Sequence, residues 1–254
     1  MSGSAYQSLR EGRSCHVWQG KAPDHVADRD LDELSAEELQ AARRLTGPHS
    51  AAYAAVHVAL RRILAHYLEV PPRELVFGRA TNPGCGHPGH GRPQLAHPRT
   101  GLEFSLSRTG PHWLIAVEAD ATVGVDIEDM SDFDHGAVSS LVLSPSERAH
   151  LRACSPGPAR TRAFYHCWTR KEAVVKASGA GITSDLSAVE VHPGSAGPVP
   201  VRQVTPRGTS SLSVRDLDVG PHLCAALARE EGGTGPVLMR RYSLLDLAST
   251  GGQP

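Results

Sequence analysis

The chain has 254 residues, enough for one large domain or two small ones, each with a hydrophobic core. Hydrophobic residues make up 40% and charged residues 21%, values that are ordinary for a soluble globular protein. The formal net charge of −1 argues against a protein that binds nucleic acid through a broad basic surface.

The N-terminus, MSGSAYQSLREGRSCHVWQG, lacks the apolar segment of a secretory signal. No run of the chain approaches the ~20 apolar residues of a membrane span. These features predict a cytoplasmic protein with reduced thiols and no membrane partner. The cysteines are scattered and form no CxxC pair: Cys15, Cys85, Cys154, Cys167 and Cys224.

Helices dominate the first third of the chain. Ser35 is a suitable N-cap for a helix with acidic residues in its first turn. A Gly-Pro pair interrupts it, and a second helix is predicted from about Ser50 to Tyr67. The apolar residues of this second helix recur at steps of three and four: Val56, Leu60, Ile63, Leu64 and Tyr67.

A Gly-, Pro- and His-rich segment follows, GRATNPGCGHPGHGRPQLAHPRTG. It is long for a loop in a compact domain, so we expect it to be functional or mobile. Cys85, His87 and His90 make a zinc site conceivable, but the CxxC or HxxxH spacing of such sites is absent. The interpretation we favour is a mobile loop whose Gly and Pro residues form turns.

Strands are predicted next, in LEFSLS, HWLIAVEA and TVGVDIE, followed by helices in SPSERAHLRAC and FYHCWTRKEAVVKASGAGI. Strands return in LSAVEVH, SSLSVRDLD, HLCAALA and the tail LMRRYSLLDL. This order predicts an α+β fold with mainly antiparallel strands. The pattern changes near Thr122, which predicts two packed halves, residues 1–121 and 122–254.

Two carboxylates lie on one face of the strand TVGVDIE. Because side chains alternate along a strand, Asp126 and Glu128 are neighbours, and Gly124 is expected to leave open space beside them. Two ionised carboxylates so placed repel each other unless a cation lies between them, and Mg²⁺ is a suitable cation. The simpler interpretation is a solvated strand edge followed by the acidic loop EDMSDFD.

The helix FYHCWTRKEAVVKASGAGI carries charges among core-forming residues. Trp168, Glu172 and Lys176 form one stripe, with Lys171 about a quarter-turn aside. Taken alone, this is a core helix with a Glu–Lys pair, and Cys167 is a buried structural thiol. The Gly-Ala-Gly at its end follows a helix instead of a strand, which excludes a dinucleotide-binding motif.

The two segments together point to phosphate chemistry. A third carboxylate, Glu172, and the ammonium of Lys176 lie one helix after the Asp126 and Glu128 strand. Three carboxylates with a lysine at the rim suit a Mg²⁺-bound polyphosphate. The lysine then neutralises phosphate charge, and one carboxylate acts as general base.

These residues resemble a known family. VGVDIE followed by FYHCWTRKEAVVKASGAGI is similar to the paired signatures of Sfp-type 4'-phosphopantetheinyl transferases, (V/I)G(V/I)D(I/V)E and (F/W)xxxWxxKEAxxKxxGxG. The segments HGRPQL, FSLSRTG, SAAYAAVHVALRRILAHYL and LSPSERAHL resemble flanking motifs of the family. The resemblance covers about Leu34 to Leu227, most of the chain.

The resemblance implies a role for each matching residue. Asp126, Glu128 and Glu172 are the implied metal ligands, and Glu172 is also the implied general base. Lys176, together with Lys171, is implied to contact phosphates. The other implied contacts with coenzyme A are Arg61, Arg92, Pro93, Ser107, Arg108 and Asp126.

The chain departs from the family pattern at two points. Arg108 stands where the family usually has histidine, and arginine can hold a phosphate bidentately. A basic residue near the N-terminus, which the family often uses for coenzyme A, has no clean counterpart, and Arg43 or Arg44 is the candidate substitute.

The resemblance implies a Mg²⁺- or Mn²⁺-dependent transfer of 4'-phosphopantetheine from coenzyme A to a serine of an apo acyl or peptidyl carrier protein. The expected pathways are polyketide, nonribosomal peptide or fatty acid synthesis. It also implies a monomer with two similar α+β halves around the site. The alternatives are a Mg²⁺-dependent phosphohydrolase and a non-catalytic module that binds coenzyme A or a carrier protein.

Overall fold

The computed structural model of the protein describes residues 4–130, 136–181, 184–206 and 208–242. The acidic loop beyond Met130 and the part of the predicted tail strand beyond Tyr242 lie outside the described residues. The helices are α1 (Ala5–Glu11), α2 (Asp28–Leu31), α3 (Ala36–Arg43), α4 (Pro48–Leu68), α5 (Gly136–Val142), α6 (Pro145–Ala153) and α7 (Pro158–Ser178). The strands are β1 (Cys15–Lys21), β2 (Val76–Thr81), β3 (Pro88–His97), β4 (Leu102–Thr109), β5 (His112–Ala119), β6 (Val123–Asp129), β7 (Val199–Thr205), β8 (Gly208–Asp216), β9 (Leu223–Glu230) and β10 (Val237–Arg241).

Helix α4 packs on a four-stranded sheet with the order β10-β1-β5-β4. Pro48 occupies its first turn, so the helix begins two residues before the predicted Ser50. Burial of each large apolar side chain contributes about 1.5–3 kcal/mol, so the apolar stripe holds α4 in place. The predicted stripe is confirmed, since its members are at most 3% exposed: Val56, Leu60, Ile63, Leu64 and Tyr67.

Capping boxes begin two of the helices, and the N-cap predicted at Ser35 is one of them. Ser35 and Glu38 make a reciprocal capping box at the start of α3, and Ser144 and Glu147 make one at α6. Each box satisfies two backbone amides that a helix start otherwise leaves without a partner. Helix starts are therefore among the features that local sequence determines.

Helix α7 packs on a second sheet, with the antiparallel order β6-β9-β8-β7. Pro158 occupies the first turn of the helix, and Gly179 ends it in the left-handed conformation at φ +74°. Phe164 and Val174 lie in the core between this helix and the sheet. The second half thus repeats the plan of the first, a sheet covered by a helix of 21 residues.

The two sheets face each other. Val17 and Leu114 of the first sheet pack against Val123, Val125 and Ile127 of β6 in one buried cluster. The layers are therefore α4, first sheet, second sheet and α7, which confirms the predicted α+β class. No helix in the described part of the chain combines the length and apolar character that crossing a membrane requires.

Strand β10 returns to the first sheet. Cys15 pairs with Val237 in a parallel ladder, although residues 237–241 follow the last strand of the second sheet. The guanidinium of Arg229 supports this crossing, because it donates to Glu118 in β5 and to the carbonyls of Arg13 and Gly235. The division of the chain between residues 121 and 122 stays a proposal. Under that division, β10 belongs to the second half in sequence but to the sheet of the first half in space.

The segment expected to be a mobile loop is instead a β-hairpin. Strands β2 and β3 pair antiparallel along most of their length. Asn82 shapes the turn, since its side-chain oxygen accepts the amides of Gly84 and Cys85. Its side-chain nitrogen donates to the carbonyls of His90 and Ala180, which ties the hairpin to the end of α7.

Three hydroxyls on one face of β4 bond to β6, and we call this set the hydroxyl seam. Ser105 accepts the amide of Val125 at 3.0 Å, and Thr109 accepts the amide of Asp129 at 3.2 Å. Between them, Ser107 donates to the carboxylate of Asp126 at 2.8 Å. The seam fixes β6 of the second half against β4 of the first half.

Gly124 allows helix α7 to approach strand β6. A Cβ atom at Gly124 would lie 2.0 Å from the carbonyl oxygen of Ala173 and 2.5 Å from the amide nitrogen of Ala177. The expectation that Gly124 leaves open space beside the carboxylates is therefore wrong, because the backbone of α7 fills that space. Glycine is required here for close packing.

Gly124→Ala is expected to destabilise the fold by about 2–3 kcal/mol, because an added methyl group forces the helix off the strand. Urea denaturation of the two proteins measures the change. The matched control is Gly197→Ala, since a Cβ at Gly197 meets nothing within 4 Å. Equal midpoints for Gly124→Ala and the wild type would contradict the packing explanation.

Candidate functional site

Asp126 lies at the centre of the candidate site, where β6 passes under α7. Its side chain is 4% exposed. The Oδ1 atom accepts bonds from Ser107 at 2.8 Å and from Lys176 at 2.6 Å. The Oδ2 atom is buried and has no hydrogen-bond partner among the described residues. A buried carboxylate oxygen without a donor is costly, and it marks a position where a ligand can bind.

Glu128 and Glu172 flank Asp126 from the strand and the helix. The indole nitrogen of Trp168 donates to Glu128 Oε1 at 3.0 Å, which orients that carboxylate. Burial, followed by the charge of Asp126, raises the pKa of Glu128 above its ordinary value. The pKa of Glu172 is raised by the same two causes in the same order. The three carboxylates thus repel one another in a poorly hydrated place.

Lys176 supplies the positive charge in this cluster of carboxylates. It donates to Ser107 at 2.8 Å, to Asp126 at 2.6 Å and to the carbonyl of Val125 at 3.2 Å. The stripe of Trp168, Glu172 and Lys176 predicted on α7 therefore faces the two carboxylates of β6. The helical spacing predicts that these three side chains share one face of α7.

A cavity of about 980 Å³ opens beside the carboxylates. Glu172 and Lys176 line one part of it, and Arg92 and Pro93 of β3 line another. The side chain of Arg92 is paired with Glu103 of β4. The lining also includes Tyr53, His57, Arg79, Cys85, His90, Trp168 and Leu186.

An aromatic column on α4 forms a further part of the lining. Tyr53 stacks on His57 with ring centres 4.1 Å apart, and the guanidinium of Arg108 lies 5.6 Å from the Tyr53 ring centre. Glu38 accepts from His57 Nδ1 at 3.1 Å, which orients the ring. Burial, followed by the charge of Glu38, raises the pKa of Tyr53 above its ordinary value.

Two implied coenzyme A contacts are corrected by the structure. Arg61 is 2% exposed and bonds Glu38 and the carbonyls of Pro72 and Leu75. Lys171 is fully buried, forms an ion pair with Glu147 at 2.7 Å and bonds the carbonyl of Leu186. Neither side chain lines the cavity, so both hold the fold together instead of binding the ligand.

Sequence reasoning missed three lining residues, Tyr53, His57 and Arg79. A signal existed for two of them, because Tyr53 and His57 lie four residues apart on α4 and so share a face. Cys167, by contrast, was interpreted correctly as structural. It is fully buried, and burial raises the pKa of its thiol to about 12.

The three carboxylates form a candidate metal site. As the side chains stand, no group of three His, Cys, Asp or Glu within the described ranges is arranged to hold a metal ion. The donor chemistry nevertheless fits a hard divalent cation, because Asp126 Oδ2 lacks a donor and Glu128 and Glu172 are held in mutual repulsion. These three residues are the ones that would hold Mg²⁺.

Glu172→Gln is expected to raise the melting temperature by about 2–4 °C at pH 7.5 in the presence of a chelator. The raised pKa of Glu172 means that the folded state binds this proton more tightly than the unfolded chain does. Stability is therefore lost as the pH rises through the raised pKa, and a neutral side chain avoids that loss. The gain should disappear below about pH 4.5, the ordinary value.

Differential scanning calorimetry between pH 4 and pH 8 measures this effect. The control is Glu231→Gln, which changes an exposed glutamate. A gain that is the same at every pH would show that charge repulsion is not its cause.

Comparisons with known proteins identify the family of the chain. A family model described as the 4'-phosphopantetheinyl transferase superfamily matches residues 122–228, which contain the three carboxylates and Lys176. The protein slr0495 of Synechocystis is 30% identical over 159 residues. The 4'-phosphopantetheinyl transferase psf-1 of Bacillus pumilus is 29% identical over 131 residues. The 4'-phosphopantetheinyl transferase HetI of Nostoc is 32% identical over 186 residues.

These matches differ in how much of each protein they span. They cover 61% of this chain and 61% of slr0495, and 52% of this chain and 51% of psf-1. The match to HetI covers 69% of this chain and 73% of HetI.

Proposed function

Because the chain belongs to the 4'-phosphopantetheinyl transferase superfamily, we propose that it transfers 4'-phosphopantetheine from coenzyme A to a serine of an apo carrier protein. Adenosine 3',5'-bisphosphate is the second product. One observation carries the proposal: Glu172 and Lys176, beside Asp126 and Glu128, line a cavity that is also lined by Arg79, Arg92 and His57. Such a cavity suits a ligand with a diphosphate and a separate phosphate.

Glu172 is the group that accepts the serine proton. A serine hydroxyl is a poor nucleophile at neutral pH and needs a positioned base. Burial and the charge of Asp126 raise the pKa of Glu172, which makes its carboxylate a stronger base than a solvated one. Its place in the cavity lining makes it accessible to a hydroxyl that enters from solvent.

The diphosphate of coenzyme A is bound beside the same carboxylates. Asp126, Glu128 and Glu172 would hold Mg²⁺, or Mn²⁺, and the cation would supply positive charge to the diphosphate and to the leaving adenosine 3',5'-bisphosphate. Ser107 and Trp168 keep two of these carboxylates in place. These supporting bonds reduce the reorganisation that catalysis requires.

The nucleotide end of coenzyme A is assigned to Arg92, Pro93 and the aromatic column. Arg108 replaces the usual histidine of the family; its guanidinium lies over the Tyr53 ring, and a guanidinium edge can donate to a phosphate. Arg79 lines the same cavity as Tyr53, and we place it with Arg108 at this end. We assign the 3'-phosphate to this pair.

Arg108→Ala is expected to weaken coenzyme A binding about 10- to 100-fold and 3'-dephospho-coenzyme A binding by less than about 3-fold. Only the first ligand carries the phosphate that Arg108 holds. Isothermal titration calorimetry with both ligands measures the difference, and Arg202→Ala, an exposed arginine of β7, is the control. Equal losses for the two ligands would remove Arg108 from the 3'-phosphate site.

Mass spectrometry of the carrier tests the proposed function. Incubation with coenzyme A, Mg²⁺ and an apo carrier should add one phosphopantetheine, and carriers of polyketide, nonribosomal peptide and fatty acid synthesis should each be tried. Hydrolysis of a nucleotide without any carrier modification would favour the phosphohydrolase alternative. Coenzyme A binding without either reaction would favour the binding module.

We further propose that the chain acts as a cytoplasmic monomer. The described residues of one chain already form two sheets, each covered by a helix, with the candidate site between β4 and β6. A second copy is therefore not needed to complete the site. Ultracentrifugation at working concentration tests the monomer, and a stable dimer would contradict it.

A further inference from the structure

The ammonium of Lys176 has no free donor in the ligand-free protein. Its three hydrogens are matched by three acceptors, Ser107, Val125 and Asp126. A lysine that is to hold a phosphate must give up part of this set. In the ligand-free protein, the hydrogen bonds of Lys176 are therefore made to the protein and not held open for a ligand.

The ion pair with Asp126 places the ammonium of Lys176 next to the carboxylate that a divalent metal ion would bind. Lys176 lies 2.6 Å from Asp126 Oδ1, while Asp126 Oδ2 has no partner among the described residues. A divalent cation bound to this carboxylate would face the ammonium at close range and be repelled by it. Lys176 and a metal ion therefore compete for Asp126.

The ammonium of Lys176 can reach the cavity. Its side chain is 30% exposed and lines the cavity, whereas the side chain of Asp126 is 4% exposed. The lysine stem is flexible, and its ammonium can bind a phosphate as a point charge. Movement of the ammonium from the carboxylate to an anion in the cavity requires only a change of side-chain rotamers.

We propose that Lys176 is the resident counter-ion of Asp126, and that it leaves Asp126 for a phosphate of the ligand when a divalent cation binds. This inference rests on the proposed function for the identity of the phosphate ligand. In the ligand-free protein the lysine weakens metal binding. With the diphosphate present it stabilises the ligand, so metal and coenzyme A favour each other's binding.

The first test measures Mn²⁺ binding by electron paramagnetic resonance on the full chain without coenzyme A. Lys176→Met is expected to bind Mn²⁺ at least about 10-fold more tightly than the wild type, because the competing charge is gone. Adding Asp126→Asn to that variant should abolish the gain. The control is Lys21→Met, an exposed lysine of β1 that should bind Mn²⁺ as the wild type does.

Lys176→Gln gives a second variant in case Lys176→Met does not fold, since glutamine keeps a neutral donor for Ser107 and Asp126. Circular dichroism and thermal unfolding establish that each variant is folded. Mn²⁺ affinity that is unchanged or weaker in the folded variants would overturn the proposal, because Lys176 would then only support Asp126.

The second test measures the coupling between metal and ligand. With Mn²⁺ present, the Lys176→Met variant is expected to bind coenzyme A about 10-fold more weakly than the wild type, and without metal the loss should be smaller because the lysine then stays on Asp126. The factor by which coenzyme A increases Mn²⁺ affinity should also fall in the variant. An unchanged factor would overturn the proposal.

These measurements need no carrier protein, so they are separate from the test of transfer. A chain that transfers phosphopantetheine but fails the Mn²⁺ test keeps the proposed function and loses the inference. A chain that passes the Mn²⁺ test but modifies no carrier keeps the inference and loses the proposed function.

Discussion

Glu172→Gln is expected to lower the rate of phosphopantetheine transfer by at least about 10³-fold. The variant loses the carboxylate that accepts the serine proton and one of the three carboxylates assigned to the metal. Glutamine has nearly the same shape as glutamate, so coenzyme A should still bind. The measurement is the rate at which an apo carrier gains mass in the presence of coenzyme A and Mg²⁺.

The increase in melting temperature expected for the same variant separates chemistry from folding. A protein that is more stable but inactive has lost a reacting group and not its structure. Glu231→Gln is again the control and should transfer at the wild-type rate. If Glu172→Gln keeps more than a tenth of the activity, Glu172 is not the base.

Lys171→Ala is expected to destabilise the protein by about 3–5 kcal/mol, a large part of the stability of a typical domain. The substitution leaves the carboxylate of Glu147 charged and unpaired, with both side chains fully buried in the wild type. Glu147 also accepts the amides of Ser144 and Val191, so the damage reaches α6 and the segment before β7. Urea denaturation measures the loss.

The double variant Lys171→Met with Glu147→Gln is expected to recover most of that stability, because it leaves no buried charge. Lys21→Ala changes an exposed lysine and should stay within about 0.5 kcal/mol of the wild type. A loss below 1 kcal/mol for Lys171→Ala would contradict the structural role of the pair. Lys171 would then return as a candidate phosphate ligand.

The stripe on α7 and the carboxylates on β6 could be predicted because they depend on local periodicity. Residues four apart on a helix and two apart on a strand share a face whatever the rest of the chain does. Glu172 and Asp126 therefore followed from spacing. The resemblance to the family then supplied the expectation that these two faces meet.

The environment of a charged residue could not be predicted in the same way. Arg61 and Lys171 lie on helices next to ligand-lining residues, and spacing does not reveal which face is inside. Their partners, Glu38 and Glu147, are more than twenty positions away in the chain. Only tertiary packing shows that these two cations are already neutralised.

Non-local pairing explains the errors in the fold. The hairpin of β2 and β3 is rich in Gly and Pro, which is typical of loops, and its ladder is anchored by a bond from Asn82 to Ala180. The position of β10 depends on Cys15 pairing with Val237. Neither contact leaves a trace in a local window of sequence.

The return of β10 to the first sheet has a consequence for biosynthesis. A chain made from its N-terminus exposes the open edge of β1 until Val237 to Arg241 have left the ribosome. The first half thus lacks its edge strand until then, and an unpaired edge is a site for aggregation. Folding of the first sheet is therefore completed only after the strands of the second sheet have been synthesised.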